Sequence, residues 1–234
     1  MQNIPNIYEQ GQTLLFDKPY GWTSFDVVKK VRRAIKARKV GHAGTLDPLA
    51  TGLLIICTGS HTKKISELQV LEKKYKGKMV LGAVTPSLDR ETQAIDKKPF
   101  DFVTNELIEE KIKNFRGEIT QVPPIHSAKK IEGERAYKIA RRGEKAEMKS
   151  VTVTIQKFEI TDINLPELDF KVLCSKGTYI RSLIHDFGQA LGCGAYLHTL
   201  CRTRIGDYKL EDAHNIFRFL DKLRADNQEV EGAK

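Results

Sequence analysis

A chain of 234 residues, 40% of them hydrophobic, can bury one sizeable core and is too apolar for wholesale disorder. No apolar run approaches the roughly 20 residues of a membrane-spanning helix, and Met1-Gln-Asn-Ile-Pro-Asn lacks the basic and apolar parts of a secretion signal, so a cytoplasmic protein is expected. The net charge of +9, from 39 basic and 30 acidic residues, favours a polyanionic partner without naming one. Cys57, Cys174, Cys193 and Cys201 stand singly, which excludes C-x-x-C zinc and redox motifs and leaves reduced core thiols as the reading.

Leu14-Leu-Phe16 reads as a short strand and Asp17-Lys-Pro-Tyr-Gly21 as a turn. Thr23, with Asp26 three residues on, is an N-cap signal for a helix over 24–37, in which Phe25, Val28, Val31, Ala34 and Ile35 recur at helical spacing. Its other positions carry Lys29, Lys30, Arg32, Arg33 and Lys36, with Arg38 and Lys39 beyond; this is a solvated face or a phosphate-facing ridge. Lys39 to Gly52 is a loop punctuated by Gly41, Gly44, Pro48 and Gly52, and the apolar run Leu53–Cys57 follows it as a strand. Another strand is expected over 75–84, a polar turn over 85–92, and an amphipathic helix over 105–115. Gln121 to Ser127 is extended by its prolines. Residues 128–142 form a basic insertion with Lys129, Lys130, Arg141 and Arg142, bracketed by Gly133 and Gly143 around a short helix. Strands follow at 151–155 and 168–174, then a turn into a helix with the stripe Ile180, Leu183, Ile184, Phe187 and Leu191, stopped by Gly192. A short strand over 197–201 and a last helix over 212–223 complete the chain, with a frayed tail over 224–234. Strands and helices mix without strict βαβ alternation, so an α+β fold is expected: one domain over 1–234, its mixed and mainly antiparallel sheet flanked by helices.

The six histidines are scattered, and neither a phosphate-cradling G-x-x-x-x-G-K-[ST] run nor a G-x-S-x-G is present. His185-Asp186 lies in an amphipathic helix and reads as a structural pair. Asp47 stands out as a carboxylate on a glycine-shaped loop anchored to a buried strand, which suits a catalytic acid, base or nucleophile; the bland alternative is an Asp that satisfies loop amides. Arg181, at a helix start, is the natural partner for a buried carboxylate and would keep it ionised. Tyr75 and Tyr179 offer faces on which a nucleobase can stack, or are core and rim residues.

Asp17-Lys-Pro-Tyr-Gly-Trp-Thr-Ser24, Gly41-His-Ala-Gly-Thr-Leu-Asp-Pro-Leu-Ala-Thr-Gly52, Lys74-Tyr75, Cys174-Ser-Lys-Gly-Thr-Tyr-Ile-Arg181 and Leu191-Gly-Cys-Gly-Ala195 occur in this order. Together they closely resemble the TruB family of tRNA pseudouridine synthases, which act on uridine 55 in the T arm. The resemblance runs from about Leu14 to Tyr208. It implies a pseudouridine-synthase fold and an isomerisation without metal or organic cofactor, in which the bond from ribose to uracil breaks, the base turns, and C5 bonds to C1′. By position it makes Asp47 the catalytic nucleophile, acting directly on the sugar or through a glycal, and Arg181 its partner. Tyr75 would stack on the flipped uracil and help remove the C5 proton. Tyr179 and Leu200 would line the uracil pocket, and His42 would fill the space left in the RNA. The basic helix and the 128–142 insertion would then grip phosphates, the insertion as a finger on the T loop. Many family members continue into a C-terminal RNA-binding domain of PUA type, and this sequence reads as a short form without it. No dimer signal is present, so a monomer with no obligate protein partner is expected. A non-catalytic RNA-binding or RNA-folding protein on the same scaffold, and a synthase for another structured RNA, stay open; intact Asp47, Arg181 and Tyr75 weigh against the first.

Overall fold

The computed structural model describes residues 6–125, 127, 130–131, 134–136, 139, 142 and 148–232. In chain order the elements begin with α1 (Ile7–Gln10), β1 (Thr13–Lys18), α2 (Ser24–Ala34), β2 (Val40–His42), β3 (Ala50–Thr58), α3 (Ile65–Val70) and β4 (Lys73–Leu81). There follow α4 (Asn105–Ile112), β5 (Gly117–Gln121), β6 (Lys130–Ile131), β7 (Glu134–Arg135), β8 (Val151–Asn164) and β9 (Glu167–Cys174). The last are α5 (Ile180–Leu191), β10 (Ala195–Ile205), β11 (Tyr208–Lys209), β12 (His214–Asn215) and α6 (Ile216–Gly232). The expected α+β class and mixed sheet are present: β1 pairs with β12 in parallel and with β3 antiparallel. The chain divides into two compact units, residues 1–74 with 201–234, and residues 75–200.

In the first unit the strand order is β12-β1-β3-β10, with β2 also on β3 and β11 on β10. β3 is buried along almost its whole length because both of its faces are covered. Leu54 and Ile56 pack with Phe16, Val27, Val28, Val31 and Ile216, whereas Leu53, Ile55 and Cys57 pack with Ala43, Leu68 and Ile205. That alternation explains the unbroken Leu-Leu-Ile-Ile-Cys run. α2 starts on the expected capping box: the Thr23 side chain accepts from the Asp26 amide and the Asp26 carboxylate accepts from the Thr23 amide. The helix ends at Ala34, three residues before the expected stop, and Lys36 takes a left-handed φ of 53°.

Two further boundaries in this unit differ from expectation for a common reason. Lys18, expected in a turn, is the last residue of β1, where it pairs with Gly52 and is fully buried. Gly52, expected in the loop, lies inside β3 at φ 101°, and a Cβ there would collide with the Arg202 backbone, whose nitrogen is 2.8 Å away. The glycine serves close strand approach rather than loop freedom. The last helix begins at Ile216 instead of 212, since 210–212 form a 3-10 turn and His214–Asn215 pair with β1, and it continues to Gly232.

In the second unit the order is β10-β4-β9-β8-β5. β8 runs fourteen residues rather than the five expected, folding back on β9 with register shifts at 155/157 and 160/162. α5 lays Ile180, Leu183, Ile184 and Phe187 into the core and stops at Gly192 with φ 87°, as its sequence requires. Phe187 meets Phe115 edge-on at 5.6 Å and Phe158 at 5.4 Å, which ties α5 to β8 and to the segment after α4. Of the basic insertion, β6 and β7 pair Lys130 with Arg135 and Ile131 with Glu134. Lys129 and Arg141 lie outside the described residues.

Gly52→Ala is expected to lower stability by about 2 kcal/mol or more, from the steric clash and the left-handed φ together. Urea unfolding should register this as a lower midpoint with an unchanged slope.

Candidate active site

Asp47 sits in a tight turn, half-buried, with its carbonyl accepting from Ala50 N at 3.1 Å. Two buried cations hold this turn and the residues around it. The Lys18 ammonium donates to the carbonyls of Trp22 at 2.6 Å, Pro19 at 3.0 Å and Pro48 at 3.3 Å. The Arg202 guanidinium, 1% exposed, donates through Nε to Leu53 O at 2.8 Å, through Nη2 to Gly44 O at 3.1 Å and through Nη1 to Thr45 O at 3.4 Å. Ser24 completes the mount: its hydroxyl accepts from Leu46 N and donates to Leu46 O. Gly21 N also donates to Pro48 O at 2.9 Å. Carbonyls and amides on both sides of Asp47 are therefore fixed, while its carboxylate projects from a backbone with little freedom.

Burial lowers the Lys18 pKa to about 8, against the opposing pull of the Asp47 charge; the nearby Arg202 charge lowers it further. The Asp47 carboxylate is thus one of the groups that keep Lys18 protonated. His42 lies on β2, five residues before Asp47, and its Nδ1 is enclosed without a hydrogen-bond partner. Burial and the Arg202 charge lower its pKa, with a bond to the Gly44 backbone opposing, so the ring is neutral at pH 7.

The second unit carries Tyr75, Tyr179, Arg181 and Leu200. Arg181 is 4% exposed at the start of α5. Its Nη1 donates to Ser87 O at 3.1 Å, and its Nε stands 3.7 Å from Asp89 Oδ2. The loop supplying those groups is itself cross-braced: Thr85 and Ser87 hydroxyls donate to Asp89 O, at 2.6 and 3.1 Å, and Glu91 N donates to Asp89 Oδ1. Tyr179 is held through its backbone, N donating to Gln121 Oε1 at 3.1 Å and O accepting from Gln121 Nε2 at 3.4 Å. The buried Gln121 thus joins β5 to the start of α5. Tyr75, on β4, is 8% exposed, and Leu200 is half-buried on β10. In the basic insertion Arg142 forms a two-pronged pair with Glu134, at 2.6 and 2.9 Å.

His42 and Asp47 fall in the first unit; Tyr75, Tyr179, Arg181 and Leu200 fall in the second, as do Lys130 and Arg142 of the insertion. Sequence reasoning missed Lys18, Arg202 and Gln121, and it placed Thr85, Ser87 and Asp89 in a turn resembling the family's with its role left open. Of the three missed, only Lys18 had a local signal, a lysine directly before a Pro-Tyr-Gly turn, and turn chemistry masked it.

Two family domains cover most of the chain: the TruB family pseudouridylate synthase N-terminal domain matches residues 32–180, and the tRNA pseudouridylate synthase B C-terminal domain matches 181–232. The fold and these matches define a pseudouridine synthase, and the chain belongs to the TruB family. It is 52% identical over 227 residues to the tRNA pseudouridine synthase B of Flavobacterium johnsoniae, covering 94% of this chain and 99% of that one. It is 49% identical over 230 residues to that of Phocaeicola vulgatus, covering 96% and 97%. Among solved structures it is similar to a chain of a Cbf5-Nop10-Gar1 complex, with 30% identity and a TM-score of 0.72 over 93% of this chain. A chain of an H/ACA RNP bound to a substrate RNA containing 2′-deoxyuridine gives 28% identity and 0.69 over 92%. The chain spans 56% and 54% of the lengths of those two.

Arg202→Met keeps the bulk but strands three carbonyls, that of Leu53 fully buried, and should cost about 2 kcal/mol of stability, whereas Arg202→Lys, with no fork, should recover only part. Thermal unfolding of the two variants against the parent separates these outcomes. The Lys18 Nζ should titrate near pH 8 by lysine 13Cε NMR. Its folded pKa lies below the usual lysine value, so the unfolded chain binds more protons from about pH 8 upward to that value. This group's contribution to stability therefore rises with pH across the window and is lowest below it. Asp47→Asn should move the titration further down, and an unmoved curve would remove the electrostatic link between the two.

Proposed function

We propose that this chain converts uridine 55 in the T loop of tRNA to pseudouridine, with Asp47 acting on the ribose. The observation that carries the reading is the identity of about half of all residues, over nearly the whole chain, with proteins named tRNA pseudouridine synthase B. The geometry agrees with it: Asp47 is a carboxylate with backbone held on both sides. In the reaction the N1–C1′ bond breaks and uracil turns in place. C5 then bonds to C1′, the C5 proton leaves and N1 takes one up. The product is an isomer, so no oxidant or co-substrate enters.

A stacked base hides C1′ and C5, so the uridine must be flipped out, at a cost of a few kcal/mol. In this reading Tyr75 stacks on the flipped uracil and helps remove the C5 proton, while Tyr179 and Leu200 contact its edges. Stacking on an aromatic ring is worth roughly 1–3 kcal/mol per base and offsets much of that cost. His42, whose pKa burial lowers in the free protein, fills the vacated place in the RNA. Arg181 stabilises the charge that Asp47 handles, from a position fixed by Asp89 and Ser87. The cations of the 128–142 insertion contact phosphates. The chain works as a monomer in the cytoplasm.

Tritium release from 5-tritiated uridine in a T-arm stem-loop tests the reading, with uridine 55 replaced as control. Release from the parent RNA and none from the control is expected. Asp47→Asn should abolish release while tRNA affinity stays within a few-fold. Turnover by this variant would sink the assignment of Asp47, and binding without any release by the parent protein would favour an RNA-folding role.

A further inference from the structure

α2 buries Val27, Val28 and Val31 and leaves its opposite side in solvent. On that side Phe25 is 65% exposed, and Lys29, Lys30, Arg32 and Arg33 are all exposed. At 3.6 residues per turn, Phe25, Lys29 and Arg32 fall within an arc of about 60°, one above the other, with Arg33 beside them. Lys36, Arg38 and Lys39, also exposed, extend the charge past the helix end.

Among the described residues, Asp26 answers this charge only in small part, through the pull of Lys29 on its carboxylate. The single acid of the helix, Asp26, is occupied by the Thr23 amide at 2.9 Å and hydroxyl at 2.6 Å. Among the described residues, none of Lys29, Lys30, Arg32 and Arg33 forms an ion pair with a carboxylate. Cations at i,i+3 and i,i+4 repel one another in the free protein. An exposed phenylalanine gains nothing from water either. Both features fit a partner that is anionic and presents flat apolar faces.

The ridge also starts at the Asp47 loop. Ser24, next to Phe25, is bonded to Leu46, and Gly21 to Pro48, so the residues on either side of Asp47 touch the entrance to α2. A polymer threaded to Asp47 has this helix face next to it.

We propose that the outer face of α2 is a second RNA-binding surface: Lys29, Arg32 and Arg33, with Lys30 at their flank, take successive backbone phosphates, and Phe25 stacks on a base at the end nearest Asp47. The inference rests on the RNA substrate proposed above and concerns a different contact from the 128–142 insertion. Its effect is grip on the RNA beyond the nucleotide that enters the site.

The test is the salt dependence of binding to an unmodified full-length tRNA transcript, for the parent protein, the triple variant Lys29→Ala/Arg32→Ala/Arg33→Ala, and Phe25→Ala. The triple variant should flatten the slope of log K against log salt by about 2–3, as expected for three lost phosphate contacts. It should bind roughly 10-fold or more weakly at physiological salt. Phe25→Ala should weaken binding about 5-fold or more with the slope unchanged, and Phe25→Trp should restore it. Unchanged slope and affinity in the triple variant, with its thermal stability intact, would overturn the proposal. So would a variant that loses binding only to anionic lipid vesicles. Tritium release by the parent protein separates the two readings. Release with an unaltered slope refutes the α2 surface alone, and an altered slope without release refutes the uridine-55 assignment alone.

Discussion

Six backbone carbonyls converge on two buried cations, and the position of Asp47 depends on that convergence. Lys18 gathers Pro19, Trp22 and Pro48; Arg202 gathers Gly44, Thr45 and Leu53. A loop of this kind exposes carbonyls that no strand or helix satisfies, and burying them unpaired would be costly. Meeting them with charge makes each bond stronger than a neutral one and brings positive potential next to a carboxylate. The desolvation of the cations is the opposing cost, and the lowered pKa of Lys18 is its signature. β1 and β10 deliver these cations, so strand pairing and site construction are one event: the register that sets Lys18 opposite Gly52 also brings its ammonium to Pro48.

The second unit solves the same problem with an acid. Arg181 is buried at a helix start, where cations are not favoured by the helix dipole. Asp89 and the Ser87 carbonyl compensate, and the Thr85, Ser87 and Glu91 bonds hold that loop in shape. The polar turn at 85–92 is a support for the guanidinium, which accounts for its density of short hydroxyl side chains.

What the sequence made legible follows from which interactions are local. The capping box at Thr23, the stop at Gly192 and the apolar stripe of α5 depend on residues close in sequence, and each lies where its pattern puts it. Asp47 was visible because glycines and a proline mark the loop around it. Arg202 was not visible, because a buried cation bonded to distant carbonyls leaves no pattern in its own neighbourhood; Arg202 and Leu53 are 149 positions apart. Lys18 stands close to two of its carbonyls, Pro19 and Trp22, but those residues read as a turn and not as the surroundings of a buried ammonium. Turn chemistry at Pro19-Tyr-Gly21 pointed away from a strand for the same reason: it says nothing about the pairing across to Gly52. The length of β8 was missed because the polar pair Gln156-Lys157 interrupts its apolar alternation and its last four residues are exposed.

The ammonium of Lys18 has three hydrogens, and three carbonyls face it. Every proton it owns is already committed to the backbone, with none left to aim at a bound nucleotide. The cation beside Asp47 is therefore a fixed source of potential rather than a proton donor. In the reaction proposed for Asp47, the proton that reaches N1 of the uracil, or leaves C5, travels by another route, through solvent or another side chain.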